Sequence, residues 1–210
     1  MHPNPVFRRE SERRNVDFAR RRCFGTLAVN ASPLGGDAPL ISHIPFQLSP
    51  DGRRLEAHLV RSNPIVRLLE TPQKAVIAVT EADGYISPDW YGLDDQVPTW
   101  NYVAVHLRGT LRRLPDEDLH GILVRLSAEM ERRLLPKKPW GIDKMNPDAY
   151  ARLLRMIVPV ALDVETIDGT WKLSQNKPET ARLAAAEGLA ETGFGSEIDA
   201  LAELMRGAGE

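Results

Sequence analysis

Apolar and polar residues alternate with a period of two through residues 101–111. Val103, Val105, Leu107 and Leu111 fall on one parity, and Tyr102, His106, Arg108 and Thr110 on the other. A strand with one core face and one wet face is predicted there. The same period recurs upstream, where setting Leu48 opposite Leu55 across a Pro50-Asp51-Gly52-Arg53 turn also sets Phe46 opposite Ala57 and Ile44 opposite Leu59. One face of that hairpin is wholly apolar, which specifies its register. Residues 24–30 read as a strand with an exit loop over 31–39, and residues 74–82, of Val, Ile and Ala, as a strand buried on both faces. Residues 158–167 and 170–173 read as a last hairpin, because Asp168-Gly169 is a strong short turn signal. Elsewhere the period lengthens to that of a helix. Leu119, Ile122, Leu123, Leu126, Met130 and Leu134 mark one over 116–135, and Tyr150, Leu153, Leu154 and Ile157 mark another, capped by Asn146. Ser11 can cap a helix over Glu12–Arg22, and Ser62 or Asn63 a short one over 64–70 that has proline in its first turn. Two alanine-rich helices, 179–190 and 197–205, are separated by Gly193 and Gly195.

A chain of 210 residues accommodates one large domain, read as 1–178 with 179–210 as a helical appendage of it. The net charge of −2 excludes a global field that would drive the protein onto nucleic acid or an anionic membrane. Any such contact must be local, and Arg8, Arg9, Arg13, Arg14, Arg20, Arg21 and Arg22 make the N-terminal helix the one candidate for DNA phosphates. A solvated face paired with acidic neighbours is the favoured reading of that run. One cysteine cannot form an intrachain disulfide, the first residues lack the apolar stretch of a signal peptide, and no apolar run approaches the ~20 residues of a membrane span. A soluble cytoplasmic protein is expected, with no membrane partner.

Candidate chemistry gathers in four places. Residues 84–111 hold two of the four Trp and three of the four Tyr around an Asp-rich loop, and such rings serve a core, an interface or a planar ligand. On the polar face of the 43–60 hairpin, His43 and His58 come into diagonal proximity, which suits a polar ligand. Two histidines fall short of a zinc site, so no metal is assigned. Arg61, Ser62 and Asn63 lie where a strand meets a helix N-terminus, an arrangement suited to an anion or to an ordinary cap. Ser174-Gln175-Asn176-Lys177 carries the groups that read a polar planar ligand, or else forms a surface turn. No Gly-rich nucleotide loop or nucleophile elbow is present, so no catalytic residue is assigned.

HIPFQL at 43–48, AHLVRSNP at 57–64, GYISPDWY at 84–91, VPTWNYVAVHLRG at 97–109 and WKLSQNKP at 171–178 together resemble the PaiB-type FMN-binding negative transcriptional regulators, in the same motif order over about residues 1–190. That resemblance implies a fold of mainly β, α+β class, the antiparallel split β-barrel of the pyridoxamine-phosphate-oxidase-like flavoproteins with peripheral helices. It further implies a homodimer with FMN at the subunit interface. It puts the FMN phosphate near Arg61, Ser62 and Asn63 and sets His43 and His58 beside the flavin. Trp100, Asn101, Lys172, Gln175 and Asn176 would lie toward the cofactor or the dimer seam. The chain departs from the pattern at His2, at Ala57 and in its tail after Ala190. Two other functions stay open: a small flavin-dependent oxidoreductase holding a planar metabolite against Trp90, Tyr91 and Trp100, and a haem-binding relative.

Overall fold

The computed structural model describes residues 1–32 and 38–208, so the exit loop expected over 31–39 lies partly outside the described residues. Strands form at β1 (Phe24–Val29), β2 (Leu40–Leu48), β3 (Arg54–Val60), β4 (Gln73–Ile86), β5 (Thr99–Arg113), β6 (Ile157–Lys172) and β7 (Gly195–Ser196). Helices form at α1 (Glu12–Arg22), α2 (Pro64–Leu68), α3 (Asp118–Arg132), α4 (Pro147–Leu154), α5 (Glu179–Thr192) and α6 (Ile198–Arg206). The strands make one sheet in the order β1-β2-β3-β6-β5-β4-β7, and a further β1–β4 pairing brings it back to its first strand. The β1–β2, β1–β4, β2–β3, β3–β6 and β4–β7 pairs are all antiparallel. This is the split-barrel class with peripheral helices that the sequence implied. The chain divides into two compact units, one of Ala19–Ala78 and Leu107–Thr166, the other of Met1–Phe18, Val79–His106 and Ile167–Glu210.

In the first unit the β2–β3 hairpin has the expected register, with Phe46 opposite Ala57, Gln47 opposite Glu56 and Leu48 opposite Leu55. Its turn is closed by Ser49 and Arg54, and Gly52 takes the left-handed φ of 73° that the reversal needs. Leu27, Phe46, Leu55, Leu59, Ile77, Leu107, Leu111 and Leu162 are buried, each contributing about 1.5–3 kcal/mol of apolar transfer. β4 departs from expectation: its burial alternates, with Ala75 and Ile77 inside and Val76 and Ala78 half-exposed. An antiparallel strand with one packed face gives that pattern even when both parities are apolar. Helix α1 ends at Cys23, whose φ of 47° is left-handed. Arg133 donates from Nη2 to Arg20 O (3.1 Å) and from Nη1 to Arg21 O (2.6 Å), satisfying carbonyls that a helix end leaves open.

The second unit holds the clearest correction. The expected hairpin at Asp168-Gly169 does not form, and β6 runs unbroken through it. Asp168 is instead paired with Arg8 at 3.2 Å. A Cβ on Gly169 would come within 2.1 Å of Asn15 Oδ1, the atom that accepts the Trp171 Nε1 hydrogen bond at 2.8 Å. The glycine is there for a neighbour's approach and not for a turn. Phe18 meets the Trp171 ring edge-on at 5.4 Å, and Leu189, Leu201 and Met205 of α5 and α6 are fully buried.

Candidate functional site

At the end of β3 the backbone N–H of Arg61 donates to Met156 O at 2.7 Å. Its guanidinium donates from Nε to Arg155 O (2.8 Å) and from Nη2 to Ile157 O (3.1 Å), with Asp116 Oδ2 more distant at 3.4 Å. Hydrogen bonding from Arg113, reinforced by Arg61, holds the Asp116 carboxyl below its usual range. Asn63 proves to be the cap of α2: its Oδ1 accepts from Ile65 N at 3.0 Å, while its Nδ2 donates to Ser42 Oγ at 3.1 Å. Ser62 is exposed beside it. His43 is exposed on β2 opposite Thr26. His58 lies on β3 opposite Pro159, and its Nδ1 is buried with no hydrogen-bond partner. Five of the ten expected residues therefore belong to this unit.

The other five lie in the second unit. Asn101 is fully buried; its Nδ2 donates to Ser174 Oγ at 2.9 Å, and its Oδ1 has no partner. Ser174 also meets Tyr91 OH at 2.8 Å and holds a left-handed φ of 61°. Sequence reading noted Ser174 within its polar cluster but did not select it as a site residue. Its backbone conformation and its two side-chain partners leave no trace in the local sequence. Trp100 is 40% exposed and donates to Asp83 Oδ1 at 3.3 Å. It forms an aromatic cluster with Tyr85 and the 60% exposed Phe194, which stack at 5.4 Å. Lys172 donates to Thr99 Oγ1, and burial lowers its pKa. Gln175 is spent on its own loop, accepting from Leu173 N at 2.8 Å and donating to Trp171 O at 2.5 Å, while Asn176 is exposed. Tyr91 is buried, and a Cβ on Gly188 would come within 2.6 Å of the Trp90 ring, so one flank of the half-buried Trp90 is taken up in packing. That removes Tyr91 from the three rings offered to a planar metabolite.

Two buried polar atoms, His58 Nδ1 and Asn101 Oδ1, thus lack partners that folded proteins normally supply, and each is a place where a ligand's hydrogen-bonding group would be satisfied. Among the described residues no group of three or more His, Cys, Asp or Glu is arranged to hold a metal ion, and no helix is long and apolar enough to cross a membrane. Burial lowers the His58 pKa from its ordinary value of 6.5, so the unfolded chain takes up this proton before the folded one does. The stability contributed by neutral His58 is present in full above about pH 6.5 and is lost as pH falls through the depressed folded value. Denaturant melts at pH 7.5 and 5.5 should show a loss that shrinks in His58→Gln; an equal loss in both proteins would assign the effect to other groups.

Comparison with known proteins adds three findings. A family model described as "Putative FMN-binding domain" matches residues 1–166. The Bacillus subtilis (strain 168) protein named "Protease synthase and sporulation protein PAI 2" is 29% identical over 191 residues, which is 90% of this chain and 88% of that one. Two solved structures are similar in fold. The FAD and heme binding protein from Mycobacterium smegmatis has a TM-score of 0.55 and 19% identity over 79% of this chain and 73% of that chain. Rv2991 from Mycobacterium tuberculosis has a TM-score of 0.55 and 17% identity, over 82% and 91%.

Proposed function

The chain belongs to this FMN-binding domain family, a flavin-binding split-barrel protein whose cofactor is FMN, and from that premise we propose that it acts as a cytoplasmic homodimer that represses transcription. The observation that carries the regulatory reading is its likeness, along nearly the whole chain, to a Bacillus protein whose name refers to protease synthase and sporulation. A likeness of that extent favours a shared role over a shared scaffold alone.

The residues present fit FMN. A flavin ring offers an imide N–H and carbonyl oxygens, which are the kinds of group that the unpaired Asn101 Oδ1 and His58 Nδ1 lack. When bound, FMN supplies a planar, redox-active ring and a phosphate dianion. Arg61, with Ser62 and the capping Asn63 beside it, would hold the phosphate, and His43 and His58 would lie beside the flavin; Trp100 and Asn101 would lie toward the cofactor or the seam between subunits. Lys172, Gln175 and Asn176 would line the cofactor or the seam between subunits. Gln175 and Lys172 are already bonded within the chain and act by keeping that wall in place.

Dimerisation would draw on the outward face of β1, β2 and β3. There Phe24, Ile41 and Val60 are 49%, 58% and 54% exposed, and large apolar side chains left exposed on neighbouring strands are what an interface between copies would cover. The parent should sediment as a dimer at about 10 µM and Ile41→Lys as a monomer, since an uncompensated charge at the centre of an interface costs several kcal/mol. A monomeric parent would remove the dimer from the proposal.

DNA contact is assigned to α1 or to a bound partner protein. Arg13 is paired with Asp17, and Arg14 is paired with Glu10 and lies over the Trp171 ring at 4.4 Å, so fewer phosphate contacts are available than seven arginines imply. The test is selection of host genomic fragments by the FMN-loaded protein, followed by reporter fusions of the fragments captured. Repression of at least one captured promoter is expected when the chain is supplied. If no promoter responds, the regulatory reading is lost while the flavoprotein assignment stands.

A further inference from the structure

Helix α4 has an apolar stripe but no buried residue. The stripe faces a pocket of about 200 Å³ walled by α3, the 136–146 loop and α4 itself. Its lining includes Leu123, Trp140, Met145, Tyr150 and Leu154, with Ser127 as a polar group and no charged side chain. All of it belongs to one unit.

The walls are held open. Trp140 N donates to Glu131 Oε2 at 2.8 Å, and Lys144 Nζ donates to Pro139 O at 3.0 Å. Asn146 Oδ1 accepts from Asp148 N and Ala149 N at 3.0 and 3.1 Å, fixing the start of α4. Across the pocket from the loop, Tyr150 OH meets His120 Nδ1 at 2.8 Å and ties α4 to α3. An apolar cleft whose walls are pinned in this way keeps its shape and offers apolar surface to an occupant.

Size and lining select the occupant. A cavity of about 150 Å³ lined by apolar side chains takes up benzene, so the volume here suits one or two fused rings. The lack of a lining charge disfavours an ion. Ser127 Oγ and Tyr150 OH can each complete one hydrogen bond. We infer that this pocket is a binding site for a small, neutral aromatic molecule carrying one hydrogen-bonding group; its lining shares no side chain with the proposed flavin site but adjoins it at Ile157, whose carbonyl accepts from Arg61. The inference does not depend on the regulatory reading.

Indole serves as the probe, titrated by calorimetry into the FMN-loaded protein. Saturable one-to-one binding is expected with a Kd of about 0.1 mM, ordinary for nine non-hydrogen atoms in an apolar site. Ser127→Trp, which fills the pocket, should weaken binding at least tenfold with the flavin absorbance unchanged. In the parent, nuclear Overhauser contacts should run from indole to the Met145 and Leu154 methyl groups, a readout that needs no variant. No saturation up to about 5 mM, contacts to other methyl groups, or release of FMN as indole binds would each overturn the assignment.

Discussion

Arg61→Ala is expected to raise the dissociation constant for FMN roughly 30- to 150-fold, the equivalent of about 2–3 kcal/mol for losing a charge-assisted hydrogen bond. Two carbonyl acceptors, Arg155 O and Ile157 O, fix the guanidinium in place before any ligand arrives. The longer 3.4 Å contact to Asp116 is the one that a phosphate would compete with. A cation held in this way loses little side-chain entropy on binding, which raises its value to an anion. The same substitution also removes the tie between β3 and residues 155–157, so the mutant should melt earlier as well. Calorimetric titration of both proteins with FMN separates the two roles. Unchanged affinity alongside a lower melting temperature would make Arg61 a structural clasp and move the phosphate elsewhere.

Gly109→Ala is expected to destabilise the fold by about 3 kcal/mol, lowering the melting temperature by about 6–12 °C. Intrinsic propensity predicts the opposite sign, because glycine within a strand costs roughly 0.5–1 kcal/mol relative to alanine. Local geometry decides the contest. A Cβ at Gly109 would sit 2.0 Å from Asp163 O and 3.0 Å from Val164 Cα, and backbone cannot swing aside as a flexible side chain does. Thermal unfolding of the variant within about 2 °C of the parent would show that β5 and β6 part easily at this point.

The features legible in the sequence were those that local chemistry settles. Ser11 accepts from Arg14 N, and Asn63 and Asn146 cap their helices. The β2–β3 register followed from the apolar parity of Phe46, Leu48, Leu55 and Ala57. What stayed hidden depends on residues far away along the chain. The Asp168-Gly169 pair has the chemistry of a turn, and it is overridden by Arg8 and Asn15, some 150 residues earlier. Tyr91 could not be told from a ligand platform until its burial and its bond to Ser174 were seen. The unpaired Asn101 Oδ1 is a property of an environment and not of an asparagine. Sequence could point to the motif around it but not to the vacant hydrogen-bonding position.

The β1–β4 pairing, Thr26 to Val29 against Ala75 to Ala78, closes a seam. β1 is thereby hydrogen-bonded along both sides, to β2 and to β4, and has no free row of amides there for a stranger's backbone to extend. Fibre growth by strand addition at this seam is shut off while the native state lasts, and copies can meet there only through side chains. The exposure moves to partly opened forms. If the seam parts first under heat or acid, β-branched and alanine-rich segments of β1 and β4 become templates for one another across molecules. Hydrogen exchange at residues 26–29 would then measure the protein's margin against aggregation more directly than its melting temperature does.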